Sequence, residues 1–488
     1  MSLKFDFNNM FSLNVGEHGV KQEDIDEILP SAHTAATHLK NIIADPAARV
    51  RLSLEWAKLH EQDKKQIDNI IKLGRQISSK YENVLFLGIG GSYLGLKAAQ
   101  DALCPPYYNE FKTLRKKSAR IYLEGNNLDP DTLQVLLKNL NPKKTFVVVI
   151  SKSGETTETK VAFILVEQWL KKAVGRNFGR QVLAITDPEC GSLRKRVNEE
   201  QKKDRLSFRS LPLLKGVGGR YSEFNMGLLH LAIAGINIKE LFQGVKDMAS
   251  ACSQDNVLEN PAYMYALLQV ILYRKKAKSL SILMPFSQTL KSTADWYVQL
   301  LAESLGKKYH RKIENHDGLE SWVNDRDNLF NQGPTPIAAS GTNDLHSIQQ
   351  NNVEGENDKV VTFIRVQEFK TDLKVPAKEA AFLAGKSFSQ LMQIAQEATE
   401  WALASEKRPN CTIIMPQVNA YYWGGLLFFF EMATAFEGEL FNVNAFDQPG
   451  VEGYKNYMYY KLDKPGIPPA VAEEIKKKPL IKDPKYIL

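Results

Sequence analysis

Short apolar runs that stop at glycine or hydroxyl residues and then give way to helical spacing limit what this chain can fold into. Val84-Leu85-Phe86-Leu87 ends at Gly88 and leads into a helical segment over residues 94–103. Residues 145–150 (Thr-Phe-Val-Val-Val-Ile) end at Ser151 and, after a polar stretch to Thr159, lead into helical spacing over 161–170. A third run, 181–186, ends in Asp187-Pro188. Strands without polar alternation are buried on both faces, and such strands separated by helices build parallel sheets covered by helices. After a helical stretch from about Glu223 to Ala234 the grammar resumes. Residues 280–284 read as a strand followed by a helix over about 290–305, and 360–366 and 411–415 are further strands with helical pattern after each. The first seventy or so residues read mainly as helices. The most apolar stretch, Trp423 to Phe430, is about half of what a membrane crossing needs and is closed by Glu431, so it is expected as a buried helix. Residues 351–359 are polar enough to form an exposed loop.

At 488 residues the chain exceeds one ordinary domain, and two core-bearing domains with terminal additions are expected. The net charge is +7, from 63 basic and 56 acidic residues, and the basic runs Arg274-Lys275-Lys276 and Lys476-Lys477-Lys478 are short. That mild balance suits an anionic small substrate; without a basic stripe or zinc-finger spacing, nucleic acid is not an expected partner. Four cysteines, Cys104, Cys190, Cys252 and Cys411, lie far apart with no CxxC pair, which argues against disulfide or thiolate-metal frameworks. The N-terminal MSLKFDFNNM lacks an apolar signal core, and the expected place for the chain is the cytoplasm.

Several segments carry potential chemistry. Ser151-Lys152-Ser153-Gly154-Glu155-Thr156-Thr157 sets hydroxyls and a lysine where a helix begins, either a seat for phosphate or an elaborate N-cap. Gly88-Ile89-Gly90-Gly91-Ser92 lets backbone approach a ligand or makes a tight turn; Tyr93 breaks the dinucleotide fingerprint. Gly216-Val217-Gly218-Gly219-Arg220 bends sharply and ends in a planar, permanently charged fork, fit for a phosphate, an oxyanion or a surface carboxylate. Glu303 falls near the end of a helix with Gly306 as its plausible C-cap, where a glutamate is usually solvated. His346 has no metal partner at useful spacing, and residues 446–455 read as a loop or helix entry.

Together these segments resemble the phosphoglucose isomerase family, over roughly residues 40 to 460. GVGGRYS at Gly216 and GELFNVNAFDQPGVEGYK at Gly438 look like its two signatures, and GIGGS, SKSGETT, ESLGK and GTNDLH fall in its order. The length resembles the shorter bacterial form. The resemblance implies an α/β protein of two sugar-isomerase (SIS) domains, each a parallel sheet flanked by helices. Residues 1–72 would form an N-terminal helical region, 73–236 the first SIS domain, 237–445 the second with connecting helices, and 446–488 a C-terminal active-site segment and tail. It also implies a homodimer with a shared active site. By resemblance, Glu303 matches the base, Arg220 the group that stabilises the intermediate, and His346 and Lys455 the ring-opening pair, His346 reaching in from the partner subunit. Ser151, Ser153 and Thr156, with Lys152 beside them, match the phosphate-binding residues; Gly91 and Ser92 match a sugar-contact turn, and Gln448 a substrate contact. Ser153 stands where many members have Thr, and Leu305 where Asn or Glu is common.

The implied reaction interconverts glucose 6-phosphate and fructose 6-phosphate in glycolysis and gluconeogenesis, with no cofactor or metal required. One carboxylate moves a proton between C2 and C1, and a glutamate, with an ordinary pKa of about 4.3, is ready to accept at neutral pH. It succeeds only where fixed positive charge meets the enediolate oxygen. Two rival readings are a non-catalytic sugar-phosphate sensor and a related isomerase for mannose or amino-sugar phosphates. The sensor would have no reason to hold Glu303, Arg220, His346 and Lys455 together.

Overall fold

The computed structural model of the chain describes residues 3–378 and 382–487. A three-residue strand, β1 (Lys4–Asp6), lies near the start. Then come β2 (Asn83–Leu87), β3 (Arg120–Glu124), β4 (Thr145–Ile150), β5 (Val182–Thr186) and β6 (Arg209–Pro212), which form one parallel sheet in the order β3-β2-β4-β5-β6. Every residue of β2, β4 and β5 is buried, as their unbroken apolar runs require. Alternate side chains feed two separate cores. Val84, Phe86, Phe146, Val148 and Leu183 pack with Ile77, Leu96 and Leu229 on one face. Leu85, Leu87, Val147 and Val149 pack with Phe163, Val166 and Val197 on the other. Each such side chain contributes about 1.5–3 kcal/mol by leaving water.

The second sheet takes β7 (Leu280–Pro285), β10 (Thr335–Ala338), β11 (Lys359–Glu368) and β12 (Asn410–Gln417) in parallel, in the order β12-β11-β7-β10, with β1 added antiparallel on the β12 edge. Between β7 and β10 the chain makes a two-stranded arm of β8 (Lys307–His316) and β9 (Leu319–Gln332), turned by Asp317-Gly318, both at positive φ. An Asp-Gly pair accepts that backbone in a two-residue hairpin. The arm is mostly polar on both faces and is tied to the body by Arg311. That guanidinium donates to both carboxylate oxygens of Glu439, at 2.6 and 2.9 Å, and lies 4.2 Å over the Trp322 ring.

The expected apolar helix is Ala420–Phe441, and it is buried nearly end to end. Glu431 does not close it: the helix runs ten residues further, and Glu431 itself is fully buried. Burial, with Glu223 beside it, pushes the Glu431 carboxyl well above its usual pKa, and an uncharged acid can sit in such a helix. The stretch 351–359 is likewise not wholly loop. It is partly the helix Gln349–Glu354 and joins β11 at Lys359, whose buried ammonium donates to the Glu356 carbonyl at 2.8 Å. Among the described residues no helix is long and apolar enough to cross a membrane.

Residues Met1–Ala445 form one compact unit. A second unit, Phe446–Leu488, holds the helices Glu452–Lys461 and Pro469–Lys477.

Helix Ile238–Ala251 meets Ala420–Phe441 backbone to backbone: a Cβ on Gly244 would fall 1.8 Å from the Tyr421 carbonyl oxygen. Gly244→Ala therefore forces two core helices apart. It is expected to cost about 1–3 kcal/mol, read as a lowered urea midpoint with an unchanged slope.

Candidate active site

Five parallel strands ordered β3-β2-β4-β5-β6 leave from β2 in one direction and return past it in the other, so the connections diverge between β2 and β4. Ligands of open α/β sheets collect in that crevice, at the carboxyl ends of the strands. Both motif-bearing turns lie there. Gly88 to Ser92 follows β2, and Ser151 to Thr156 follows β4, one strand over at about 4.8 Å spacing.

The loop after β4 is braced from behind. Ser192 N–H donates to the Ser153 carbonyl at 2.8 Å, and the Thr186 hydroxyl and Asp187 N–H donate to the Lys152 carbonyl. Gly154 has φ +78° and stands so close to Leu193 that a Cβ would reach its backbone nitrogen at 2.5 Å. The Ser151 hydroxyl accepts from Gly154 N–H at 3.0 Å and the Ser153 hydroxyl from Glu155 N–H at 3.1 Å. Each hydroxyl so engaged keeps its own proton to donate. Thr156 occupies the N-cap position of helix Thr157–Val174, yet its side chain caps no backbone N–H. Lys152 and Ser153 are exposed. Lys152, the Ser153 hydroxyl and a helix start are thus exposed on a fixed backbone, with the buried Ser151 hydroxyl at its base, a setting that suits an anion.

The turn after β2 is pressed against two other motifs. A Cβ on Gly91 would lie 2.0 Å from the Gly219 carbonyl oxygen, and one on Gly90, at φ +59°, would lie 3.1 Å from Gln299 Nε2. Only glycine permits this approach. The Gly90–Ser92 turn, the Gly219–Tyr221 turn and the end of helix Lys291–Leu305 are packed together by it.

Arg220 is the centre of that junction, with 2% of its side chain exposed. Its Nη1 donates to Glu303 Oε2 at 3.1 Å, its Nε to the Ser304 hydroxyl at 2.8 Å, and its Nη2 to the carbonyls of Ala445 at 2.6 Å and Glu303 at 3.4 Å. Glu303 keeps 28% of its side chain exposed and accepts from Gln299 Nε2 at 3.2 Å through its other oxygen. A carboxylate thus faces open space while an immobilised guanidinium holds one of its oxygens. Such a pair can remove a proton from carbon and meet the negative charge that results.

The remaining candidates lie elsewhere in the fold. His346 ends the short turn Asn343–His346 after β10, at the edge of the second sheet, and is exposed. Gln448 and Lys455 belong to the C-terminal unit. There Lys455 donates to Glu452 at 2.9 Å; partial burial works against its charge, but that bond, the Glu452 charge and the nearby Tyr454 and Tyr459 together outweigh it and hold the ammonium above the usual lysine pKa. Sequence reading missed Gln299, Ser304 and Tyr221, whose hydroxyl is 3.1 Å from that of Ser304. Gln299 was findable, four residues before Glu303 on the same helix face. Among the described residues no group of three or more His, Cys, Asp or Glu is arranged to hold a metal ion.

The family model described as phosphoglucose isomerase matches residues 36–464. A glucose-6-phosphate isomerase from Carboxydothermus hydrogenoformans is 37% identical over the full length of both chains. One from Clostridioides difficile is 32% identical over 91% of this chain and 94% of its own. Among solved structures, a hypothetical protein from Thermus thermophilus superposes with a TM-score of 0.78 at 29% identity, covering 94% of this chain and 99% of its own. A glucose-6-phosphate isomerase from Chlamydia trachomatis shares the fold with a TM-score of 0.73 at 21% identity, over 95% of this chain and 90% of its own.

Ser304→Ala removes the acceptor of a buried charged donor and a partner of the Tyr221 hydroxyl together. The variant is expected to lose about 1–3 kcal/mol in urea titration. Gln299→Ala, which leaves Glu303 its bond to Arg220, is expected to lose less than half of that.

Proposed function

The chain belongs to the phosphoglucose isomerase family, and on that premise we propose how it interconverts glucose 6-phosphate and fructose 6-phosphate, by ring opening and then proton transfer through an enediolate. The observation that carries the assignment is the 3.1 Å contact between Arg220 Nη1 and Glu303 Oε2 at the mouth of the β2–β4 crevice.

Substrate phosphate sits on the loop after β4, taking donors from Ser151, Ser153 and Thr156, with Lys152 supplying charge. The phosphate makes and breaks no bond; it fixes where C1 and C2 come to rest, so remote binding energy goes into alignment. Gly91 and Ser92 line the sugar, and Gln448 adds a further contact. His346 of a second protomer gives a proton to the ring oxygen, with Lys455 assisting; histidine suits this because it exchanges protons near neutral pH. This makes a homodimer the working unit. The exposed setting of His346 supports that reading, since its imidazole has no enclosing pocket of its own.

With the chain open, Glu303 takes the C2 proton and returns it to C1. Arg220 is held from behind by Ser304 and two carbonyls, so its charge needs no rearrangement when the enediolate forms. Preorganised donors of this kind are typically worth about 10²–10³ in turnover, and general-base assistance about 10²–10⁴. The same steps run backwards, as a reaction shared by glycolysis and gluconeogenesis requires.

Glu303→Gln keeps the shape of the side chain and removes the base. Turnover is expected to fall by at least about 10² while KM moves little, and exchange of the C2 proton with solvent deuterium is expected to stop. Retained exchange would remove Glu303 from the role. His346→Ala is expected to slow ring-closed glucose 6-phosphate far more than an open-chain analogue. Equal losses on both would remove His346 from ring opening.

A further inference from the structure

Two carboxyls lie behind the Arg220–Glu303 pair, and the proton transfer described above uses neither. Glu223 opens the short helix Glu223–Met226, three residues after Arg220, and Glu431 lies midway along helix Ala420–Phe441. Both are buried. Glu223 Oε1 accepts from Trp296 Nε1 at 2.9 Å. Its Oε2 and both oxygens of Glu431 meet no N–H or hydroxyl donor among the described residues. The two carboxyls bond to each other instead. A carboxylate only accepts, so that bond requires one of the acids to keep its proton, and burial favours this in both.

The pair stands where the elements that set Arg220 against Glu303 cross. Trp296 lies about two turns before Glu303 on helix Lys291–Leu305. Helix Ala420–Phe441 leads to Ala445, whose carbonyl accepts from Arg220 Nη2 at 2.6 Å. Helix Leu94–Leu103 continues from the Gly90–Ser92 turn and closes over Glu223, where a Cβ on Gly95 would lie 2.3 Å from its Cγ. An apolar side chain could fill this crossing without the cost of desolvating a carboxyl, but it would bond to neither neighbour.

We propose that Glu223 is a positioning residue of the isomerase reaction: its carboxyl, bonded to Trp296 and to Glu431, sets the spacing of Arg220 and Glu303. It touches no substrate and acts through that pair, so the proposal rests on Arg220 and Glu303 working as the charge and the base. A misplacement of about 1 Å at a reacting group, even one caused from a distance, can cost about 100-fold in turnover. The loop after β4 is braced separately, by Ser192, Thr186 and Asp187, so the seat of the phosphate does not depend on Glu223.

Turnover, KM and the urea midpoint of three variants of the full chain test this. Glu223→Met fills the same space without either bond, and kcat is expected to fall about 10- to 100-fold while KM stays within about twofold. Trp296→Phe removes only the Nε1 donor, and kcat is expected to fall about threefold to tenfold, again at constant KM. Glu223→Gln still accepts from Trp296 and donates to Glu431, and it is expected to recover kcat to within about threefold of the parent chain. A merely structural role would lower the urea midpoint and leave kcat per folded chain intact; that outcome for Glu223→Met overturns the proposal. So does a Glu223→Gln variant as slow as Glu223→Met. Parent-like kcat in Trp296→Phe overturns it as well, whether or not Glu223→Met folds. Failure of the isomerase reading itself shows separately, as full turnover in Glu303→Gln, since none of these three variants alters Arg220 or Glu303.

Discussion

A permanently charged guanidinium with 2% exposure can persist only if acceptors surround it, and Arg220 draws them from distant parts of the chain. Glu303 and Ser304 come from the end of one helix, and the Ala445 carbonyl comes from beyond another. The turn that presents Arg220 is itself fixed by the contact of Gly219 with Gly91, after β2. Losing one acceptor of such a buried charge typically costs about 1–3 kcal/mol, a noticeable part of a domain's stability. Of Glu303 and Ser304, the Glu303 carboxylate is the one whose side chain is substantially open, at 28% exposed.

Both sheets follow one plan. In the first, β2 is flanked by β3 and β4; in the second, β7 is flanked by β10 and β11, so each sheet places its first parallel strand next to its second and its third. The halves then diverge in what they place beyond the strands. The first supplies glycines and hydroxyls at the ends of β2 and β4. The second supplies the helix after β7, whose last turn holds Glu303. That is a poor local position for a carboxylate, because a helix C-terminus carries partial negative charge. Arg220 relieves it by taking both the side chain and a carbonyl of Glu303. A local rule broken at one place and compensated from another element is what a functional site looks like in a folding sequence.

How far the fold was legible follows from the same physics. The buried strands announced themselves because Phe146 to Ile150 has no polar break, and the helix 94–103 matched its expected bounds. The two-stranded arm escaped because Lys307 to Gln332 scatters apolar residues such as Ile313, Trp322 and Leu329 among charged and polar ones without marking a core face; only Asp317-Gly318 signalled it. The strand β1 is three residues long, and its pairing with β12 lies about 400 residues away in sequence. In the site, Gly91, Arg220 and Glu303 were each ambiguous alone. Nothing in spacing says that a carbonyl at 219 meets a backbone at 91. The family resemblance supplied the roles, and the packing supplied the reason that these motifs must coincide.

Glutamate supplies two opposite services around Arg220, and environment alone separates them. Glu223 follows Arg220 by three residues, packs where a Cβ on Gly95 would strike it, and accepts from Trp296 Nε1 at 2.9 Å. Complete burial pushes its carboxyl up to about 8, and burial with Glu223 beside it holds Glu431 well above the usual carboxyl range. Near neutral pH these two carry protons and add little negative charge to the junction. Glu303, at the open edge, is the carboxylate that Arg220 touches, and the proposed chemistry rests on that fixed positive charge behind it.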